Sequence, residues 1–339
     1  MVQCCSLAFH GGRCSPFDRI PQSPLIEFMT KHIAATAFKD ETRILMNSSN
    51  IEIRSITDFD ETKQIEEIQL LTWGMKEQDV IPARIVYALV RNGSCLLGAF
   101  DEGKMVGFVF GQLGTMEGLD ERIDQVAAAR LLMYSVTMGI LPQYQRLGIG
   151  YRLKIAQREF ALRIGVRLIT WTFDPLESLN GYLNFGKLGV VCNSYHRNYY
   201  GPMSGINAGL PSDRLYVEWW VTSNRVKSRV SGHRGSLTLS QYLEGGAKII
   251  NDCDPNEQRL LIPPASFLKR RGTLLLVQIP ENIQSIKSSN KDLAYEWRMH
   301  LRELFEYYFA NEYLVTDFVR DKNEEGSSRS YYLLTRARA

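Results

Sequence analysis

From residue 51 onward, apolar and polar positions follow regular periods, and each change of period marks an element. Residues 51–56 alternate as a strand. Asp58 or Asp60 caps a helix that runs to about Trp73. A second helix is expected over about 82–91, where Ile85, Val86, Ala88, Leu89 and Val90 supply the apolar positions and Asn92-Gly93 breaks the pattern. Strands over 94–100 and 104–111 are joined by the turn Asp101-Glu102-Gly103. Residues 112–129 read as a loop with a short helical piece.

The run 131–141, LLMYSVTMGIL, reads as a buried strand that Pro142 ends, because proline lacks the N–H a ladder needs. A helix follows from 151 to about 164, with Leu153, Ala156, Phe160 and Ile164 on its buried face. Another buried strand covers 166–173 and is closed by Asp174-Pro175. A helix spans about 178–188 with Gly189 as its C-cap. Strands at 190–195 and 215–221 flank a glycine-rich loop over 198–211. Residues 223–265 are polar, with two short strands at most, and read as a linker or meander. A strand over 272–279, a helix over 292–310 and an antiparallel pair, 313–319 with 330–334, complete the chain. The order predicts an α/β mixed sheet with a central parallel pair, joined to a smaller α+β C-terminal region.

Four segments result: a poorly structured extension 1–45, a main domain 46–222, a connection 223–265 and a C-terminal region 266–339. Met46 stands just before the first convincing strand and is a candidate native start. The first 45 residues lack the charged and apolar regions of a signal peptide.

Composition narrows the function classes. A net charge of +3, with dispersed lysines and arginines, argues against nucleic acid as a partner. No apolar run reaches the roughly 18–20 residues needed to span a bilayer. The six cysteines show neither metal-ligand spacing nor a disulfide framework, and Cys95 and Cys192 fall in strand-like runs as reduced core residues. The five histidines are scattered, so no metal site is expected. A cytoplasmic protein is the simplest expectation.

The chemistry concentrates at the junction of the central strand and its helix, Gln145-Arg146-Leu147-Gly148-Ile149-Gly150. Two glycines one residue apart permit a tight turn with exposed N–H groups. The helix start adds unpaired N–H groups and the positive end of its dipole. Two readings fit this spacing, a phosphate cradle and a structural connection. The pattern Gln145-x-x-Gly148-x-Gly150 resembles the pyrophosphate loop of the GNAT superfamily of acyl-CoA N-acyltransferases, and the predicted element order over about 51–222 is similar to the GNAT fold. It lacks the Gly-Lys-Ser/Thr of a nucleotide P-loop and the Gly-x-Gly-x-x-Gly of a dinucleotide fold.

The resemblance implies acetyl-CoA or another acyl-CoA as cosubstrate, with no metal. It implies splayed central strands, with Met138, Gly139 and Ile140 facing the pantetheine. Gln145, Arg146, Leu147, Gly148, Ile149, Gly150 and Tyr151 would then take the pyrophosphate, and Asn180 would lie near the pantetheine. Where the superfamily commonly has a tyrosine that protonates the CoA thiolate, this chain has Phe185. That departure shifts the general acid to Tyr182, Tyr199, Tyr200 or water. No carboxylate lies in the central strand, so Asp174, with Glu218 behind it, is the expected general base.

Residues 171–180 (WTFDPLESLN), 198–201 (NYYG) and 211–220 (PSDRLYVEWW) also resemble a subgroup of predicted GNAT acetyltransferases, whose pattern continues into 274–334. That resemblance implies acylation of a small primary amine, with acetyl or succinyl as the acyl group and an amino acid as acceptor. Arg214 and Glu218 would contact the acceptor, no nucleic acid or membrane would be involved, and a homodimer stays open. The rival reading is a non-catalytic acyl-CoA-binding or regulatory module, to which Phe185 and the missing strand carboxylate both point.

Overall fold

The computed structural model describes residues 44–45, 50–116, 131–232, 237–256, 260–322 and 328–336. The chain divides into Met1–Thr42 and Arg43–Ala339, and every described residue belongs to the second unit. Of the extension expected over 1–45, residues 1–43 lie outside the described residues, whereas Ile44–Leu45 pair with Ile53 and Glu52 as a short strand. Met46, Cys4, Cys5, Cys14 and 117–130, within the segment expected to be a loop, also lie outside them.

The strands are β1 (Ile44–Leu45), β2 (Ile51–Ser55), β3 (Cys95–Asp101), β4 (Lys104–Thr115), β5 (Leu131–Ile140) and β6 (Leu168–Phe173). They continue with β7 (Val191–His196), β8 (Arg214–Trp220), β9 (Lys248–Ile249), β10 (Leu274–Ile279), β11 (Tyr313–Lys322) and β12 (Ser328–Arg336). They lie in the order β1-β2-β3-β4-β5-β6-β8-β7-β11-β12-β10-β9. The pairs β5/β6 and β9/β10 are parallel and the others antiparallel. The two halves meet at one register pair, Val315 of β11 opposite Cys192 of β7.

Two helices sandwich the strands around β5. Helix α1 (Phe59–Trp73) starts where the Asp58 carboxylate accepts from the N–H groups of Asp60 and Glu61, and it ends at Gly74, a left-handed cap. Helix α2 (Ala83–Arg91) packs beside it. Helix α3 (Ile149–Arg163) covers the opposite face of the sheet. A Cβ on Gly139 would meet Trp73 and Ile68 of α1, whereas one on Gly150 would meet Met138 and Ile140. Neighbouring β5 residues therefore point to opposite layers.

The helix expected over 178–188 changes pitch. It is α4 (Ser178–Gly181) followed by a π-helical run, Tyr182–Leu188, capped by left-handed Gly189. Such wide turns are rare and mark local adaptation. Here the cause is close packing from the C-terminal half. A Cβ on Gly181 would come within 2.6 Å of the Phe318 ring, so only glycine allows that approach.

The segment expected to be a linker is structured. It holds α5 (Asn224–Val230), α6 (Leu239–Glu244) and β9, with Val226, Leu239, Tyr242, Ile250 and Cys253 buried. Each helix is too short to display a period, which is why the sequence reads as meander. Arg229 of α5 forms a buried ion pair with Asp317 of β11, whose carboxylate also accepts from Tyr242 Oη at 2.8 Å. Helix α7 (Ile283–Ser289) precedes the long α8 (Lys291–Ala310), which buries Leu293, Ala294, Trp297, Leu301, Leu304, Phe305 and Tyr308 against β7 and β11. Cys95, Cys192 and Cys253 are free and buried, burial pushing the Cys192 and Cys253 thiols up to about 12. No helix among the described residues is long and apolar enough to cross a membrane.

Candidate functional site

The parallel strands β5 and β6 pair only at Met133/Ile169 and Tyr134/Thr170. Beyond those two rungs β5 continues along β4 and β6 along β8, while their facing edges separate. The departure coincides with an irregularity in β5. Gly111 faces Ser135 and Phe110 faces Thr137, so Val136 is an extra residue that kinks the strand. The result is a wedge between two strands whose inner backbone groups have no ladder partner.

At the carboxyl end of β5 stands the glycine loop. Gln145 Nε2 donates to Ile140 O at 3.1 Å and ties the loop to the strand. Arg146 and Gly148 have positive φ values, 65° and 80°, and residues 145–148 are exposed. A Cβ on Gly148 would meet nothing within 4 Å, so the space before the helix is open. Arg152 N–H to Gly148 O, at 3.2 Å, is the first helical bond, which leaves the N–H groups of Ile149, Gly150 and Tyr151 without helical acceptors. Met138 and Ile140 reach toward Gly150 from β5. Gly139, which the resemblance groups with them, points instead into the α1 layer. Asn180 is exposed on α4.

A hydroxyl network closes the narrow end of the wedge. Tyr200 Oη lies 3.0 Å from Tyr134 Oη of β5 and 2.8 Å from Thr172 Oγ1 of β6, so one phenol bridges both strands. Tyr216 Oη of β8 donates to Thr170 Oγ1 at 2.8 Å, and the Tyr134 and Tyr216 rings stack at 6.5 Å. Burial first, then the bond to Tyr200, holds the Tyr134 phenol well above its ordinary pKa and hence protonated. Tyr199 packs edge-on against His196 and Tyr200, and His196 Nε2 lies 2.9 Å from Ser194 Oγ. Glu218 is half-buried opposite Thr170 and accepts from Trp220 Nε1 at 2.8 Å.

Asp174 does not fit its expected role as base. Its carboxylate is ion-paired with Arg298 of α8, has Arg214 at 3.7 Å, and accepts from Leu176 N–H at 2.9 Å. Burial raises its pKa, but the two guanidinium groups and the backbone N–H outweigh that and hold it below the usual range. It is a fixed anion. Arg214 is 5% exposed; it donates to Asp213 O at 2.8 Å and, at 3.0 Å, to the thioether of Met203, a weak acceptor for a buried cation. Phe185 is fully buried between Phe173 of β6 and Tyr332 of β12.

The sequence reading missed Tyr134, Thr172, Tyr216 and His196. Tyr134 carried a signal, a polar-tipped ring in an otherwise apolar run. The arginines of α8 carried none, because 124 and 89 residues separate Arg298 and Arg302 from their partners. No group of histidine, cysteine or acidic residues able to hold a metal occurs among the described residues.

No protein-family model matches the chain, and no curated protein matches it. Solved structures do. The Escherichia coli ribosomal-protein-S18-alanine N-acetyltransferase is 18% identical, with 51% of this chain and 95% of that chain covered, at a TM-score of 0.37. The Vibrio fischeri ribosomal-protein-S5-alanine acetyltransferase gives 14% identity, 53% and 98% coverage and 0.39. The Salmonella typhimurium structure of yncA with its cofactor acetyl-CoA gives 15%, 52%, 96% and 0.38. The structural match to GNAT acetyltransferases thus spans about half the chain.

Proposed function

We propose that the chain is an acyl-CoA-dependent N-acyltransferase that acylates the primary amine of a small molecule by direct attack on the thioester. The observation that carries this reading is the wedge, open beside the glycine loop at one end and closed by the Tyr134–Tyr200–Thr172 hydroxyls at the other. The free N–H groups of 149–151, the empty space over Gly148 and the charge of Arg146 suit a pyrophosphate. The unpaired edges of β5 and β6 suit the amides of a pantetheine arm.

The thioester supplies an acyl group on a thiolate leaving group. The amine nitrogen forms a bond to the carbonyl carbon and the carbon–sulfur bond breaks. Tyr200 gives its phenolic proton to the departing sulfur and is reprotonated, by relay through the Tyr134 and Thr172 hydroxyls, with the proton that Glu218 takes from the amine. Glu218 takes the amine proton through water. It lies two strands from Tyr134 across the rung Tyr134–Thr170–Glu218, roughly 10 Å at ordinary strand spacing, and its partner among the described residues is the indole of Trp220. Tyr199, Tyr216 and His196 wall the acceptor side. Arg214, whose Nη2 donates to a thioether and whose guanidinium faces the Tyr200 ring at 5.4 Å, suits an acceptor carboxylate and hence an amino acid.

Release of free thiol from acetyl-CoA and succinyl-CoA, measured against a panel of amino acids and simple amines, tests the reading. Amine-dependent release supports it and names both substrates. Binding of CoA thioesters with no turnover for any amine refutes it in favour of a binding module.

A further inference from the structure

The loop that carries Tyr200 is anchored mainly by its own base, and the base is anchored by α8. Asn198 N–H donates to Asp213 Oδ1 at 2.9 Å, Tyr199 N–H to Ser212 O at 3.1 Å and Tyr200 N–H to Ser212 Oγ at 3.2 Å. Ser212 Oγ in turn donates to Gly201 O at 2.7 Å. The Asp213 side chain is wholly buried and its two oxygens are fully engaged. Besides Asn198 N–H, they take Tyr195 Oη at 2.8 Å and a bidentate fork from Arg302, Nε at 2.8 Å and Nη2 at 2.9 Å. One turn earlier on α8, Arg298 holds Asp174 at the end of β6. Two arginines four residues apart therefore grip both ends of the acceptor side. From α7, Lys287 Nζ donates to the carbonyls of Ile206 and Ala208 in the same loop.

We propose that Arg302 is a positioning residue, whose fork on Asp213 holds the 198–201 turn so that the Tyr200 phenol bridges β5 and β6. The proposal rests on Tyr200 as proton donor. It gives the C-terminal region a catalytic consequence, because α8 adds to the contacts from the sheet the charged fork that fixes the base of the donor's loop. A planar guanidinium meets both oxygens of Asp213 at once. A lysine keeps the charge but contacts one oxygen at a time.

The test is Arg302→Lys beside Arg302→Met, read three ways. CoA affinity, by calorimetry, reports the glycine loop and is expected to stay within about twofold of wild type. Amide hydrogen exchange over 196–213 is expected to rise at least about tenfold in Arg302→Met and less in Arg302→Lys, with α3 unchanged. In thiol release, kcat is expected to fall about ten- to a hundredfold with KM for the acyl-CoA unchanged, since small misplacement of a reacting group carries that cost. Exchange and kcat both at wild-type levels would overturn the proposal. A wild-type protein without acyl transfer refutes the reading of the previous section instead, and exchange then still decides whether Arg302 fixes the loop. Should both variants fail to fold, the unmodified chain answers. Under mild denaturant the 198–201 amides must open together with α8, and opening well below α8 would overturn the proposal.

Discussion

Lys154 offers a stability prediction whose sign and size follow from the structure. It lies on α3, 3% exposed, with its ammonium 3.8 Å from the centre of the Trp171 ring. Nζ donates to Ser135 Oγ at 2.8 Å and Gln157 Oε1 at 3.1 Å, and no carboxylate faces it in an ion pair. Burial brings its pKa from 10.5 down to about 7. Between pH 7 and 10.5 the unfolded chain holds a proton that the folded chain has released, so folding stability rises with pH across that window. At about 1.4 kcal/mol per pH unit the gap from about 7 to 10.5 caps the gain at ~5 kcal/mol. The ring and the two oxygen acceptors favour the charged form and pull the gain below that cap. Lys154→Met removes the titrating group and keeps an unbranched chain against Trp171. It strands neither neighbour, because Ser135 Oγ already donates to Gln157 Oε1 at 3.1 Å. Urea unfolding followed by tryptophan fluorescence at pH 6, 7, 8 and 9 is the assay, and the quantity read is the difference between the two proteins, in which other titrating groups cancel. The wild type is expected to gain ~2 kcal/mol on the variant between pH 7 and 9. Parallel curves would refute the argument and show that Lys154 keeps its ordinary protonation.

Three further outcomes bear on the site. Gly148→Glu puts a side chain and a negative charge into the open space before α3 at φ 80°, and is expected to weaken CoA binding by at least about a hundredfold by calorimetry, with a stability loss of only ~1–2 kcal/mol from the left-handed backbone. Tyr200→Phe keeps the ring and removes the bridging hydroxyl, so kcat for thiol release should fall about a hundredfold at unchanged KM for acyl-CoA. Asp174→Asn leaves Arg298 and Arg214 short of a counter-charge and is expected to cost roughly 3 kcal/mol, seen as a lower melting temperature. Because this carboxyl has a depressed pKa when folded, the wild type starts to lose the same contribution as pH falls below 3.8, and the two melting curves should converge only once pH has passed below the folded pKa.

The parts of the fold legible in the sequence are those whose signal is local. The central strand, its proline stop, the glycine loop and the extent of α3 each need only neighbours a few residues away, and they came within two residues of their observed bounds. Ile164, expected on the buried face of α3, is nevertheless exposed just past its end, while Lys154 and Gln157 are buried. The turn at 101–103, the helices α1 and α2 and the pair β11/β12 belong to the same class. What stayed hidden depends on distant partners. Helices α5 and α6 are stabilised by Asp317 and the C-terminal strands, so their few apolar residues form no period. Asp174 reads as an active carboxylate until Arg298, 124 residues further on, is placed against it. Tyr134 reads as core until the separation of β5 from β6 puts its hydroxyl at a junction.

Phe185 ties these threads together. The family resemblance puts a proton-donating tyrosine at this position, and a phenylalanine there points toward an inactive module. The structure shows what surrounds that position. Strands β11 and β12 pack over the π-helical run, the Phe185 ring sits edge-on to Tyr332 at 5.7 Å and tilted to Phe173 at 6.1 Å, and its exposure is zero. A phenol in that sandwich would have aromatic carbon for neighbours, while Tyr200 brings a phenol to the wedge from the other side of the sheet's edge. Phe185→Tyr is therefore expected to lower stability by about 1–3 kcal/mol, the cost of burying a hydroxyl without a partner, and to leave thiol release unchanged. The sharper version uses the double variant. In a Tyr200→Phe background, Phe185→Tyr should restore nothing, because the ring at 185 is fully buried against Phe173 and Tyr332. Recovery of kcat in that double variant, measured by thiol release with CoA affinity as the control for folding, would mean that residue 185 does reach the thiolate and that the acid has been placed on the wrong side of the sheet.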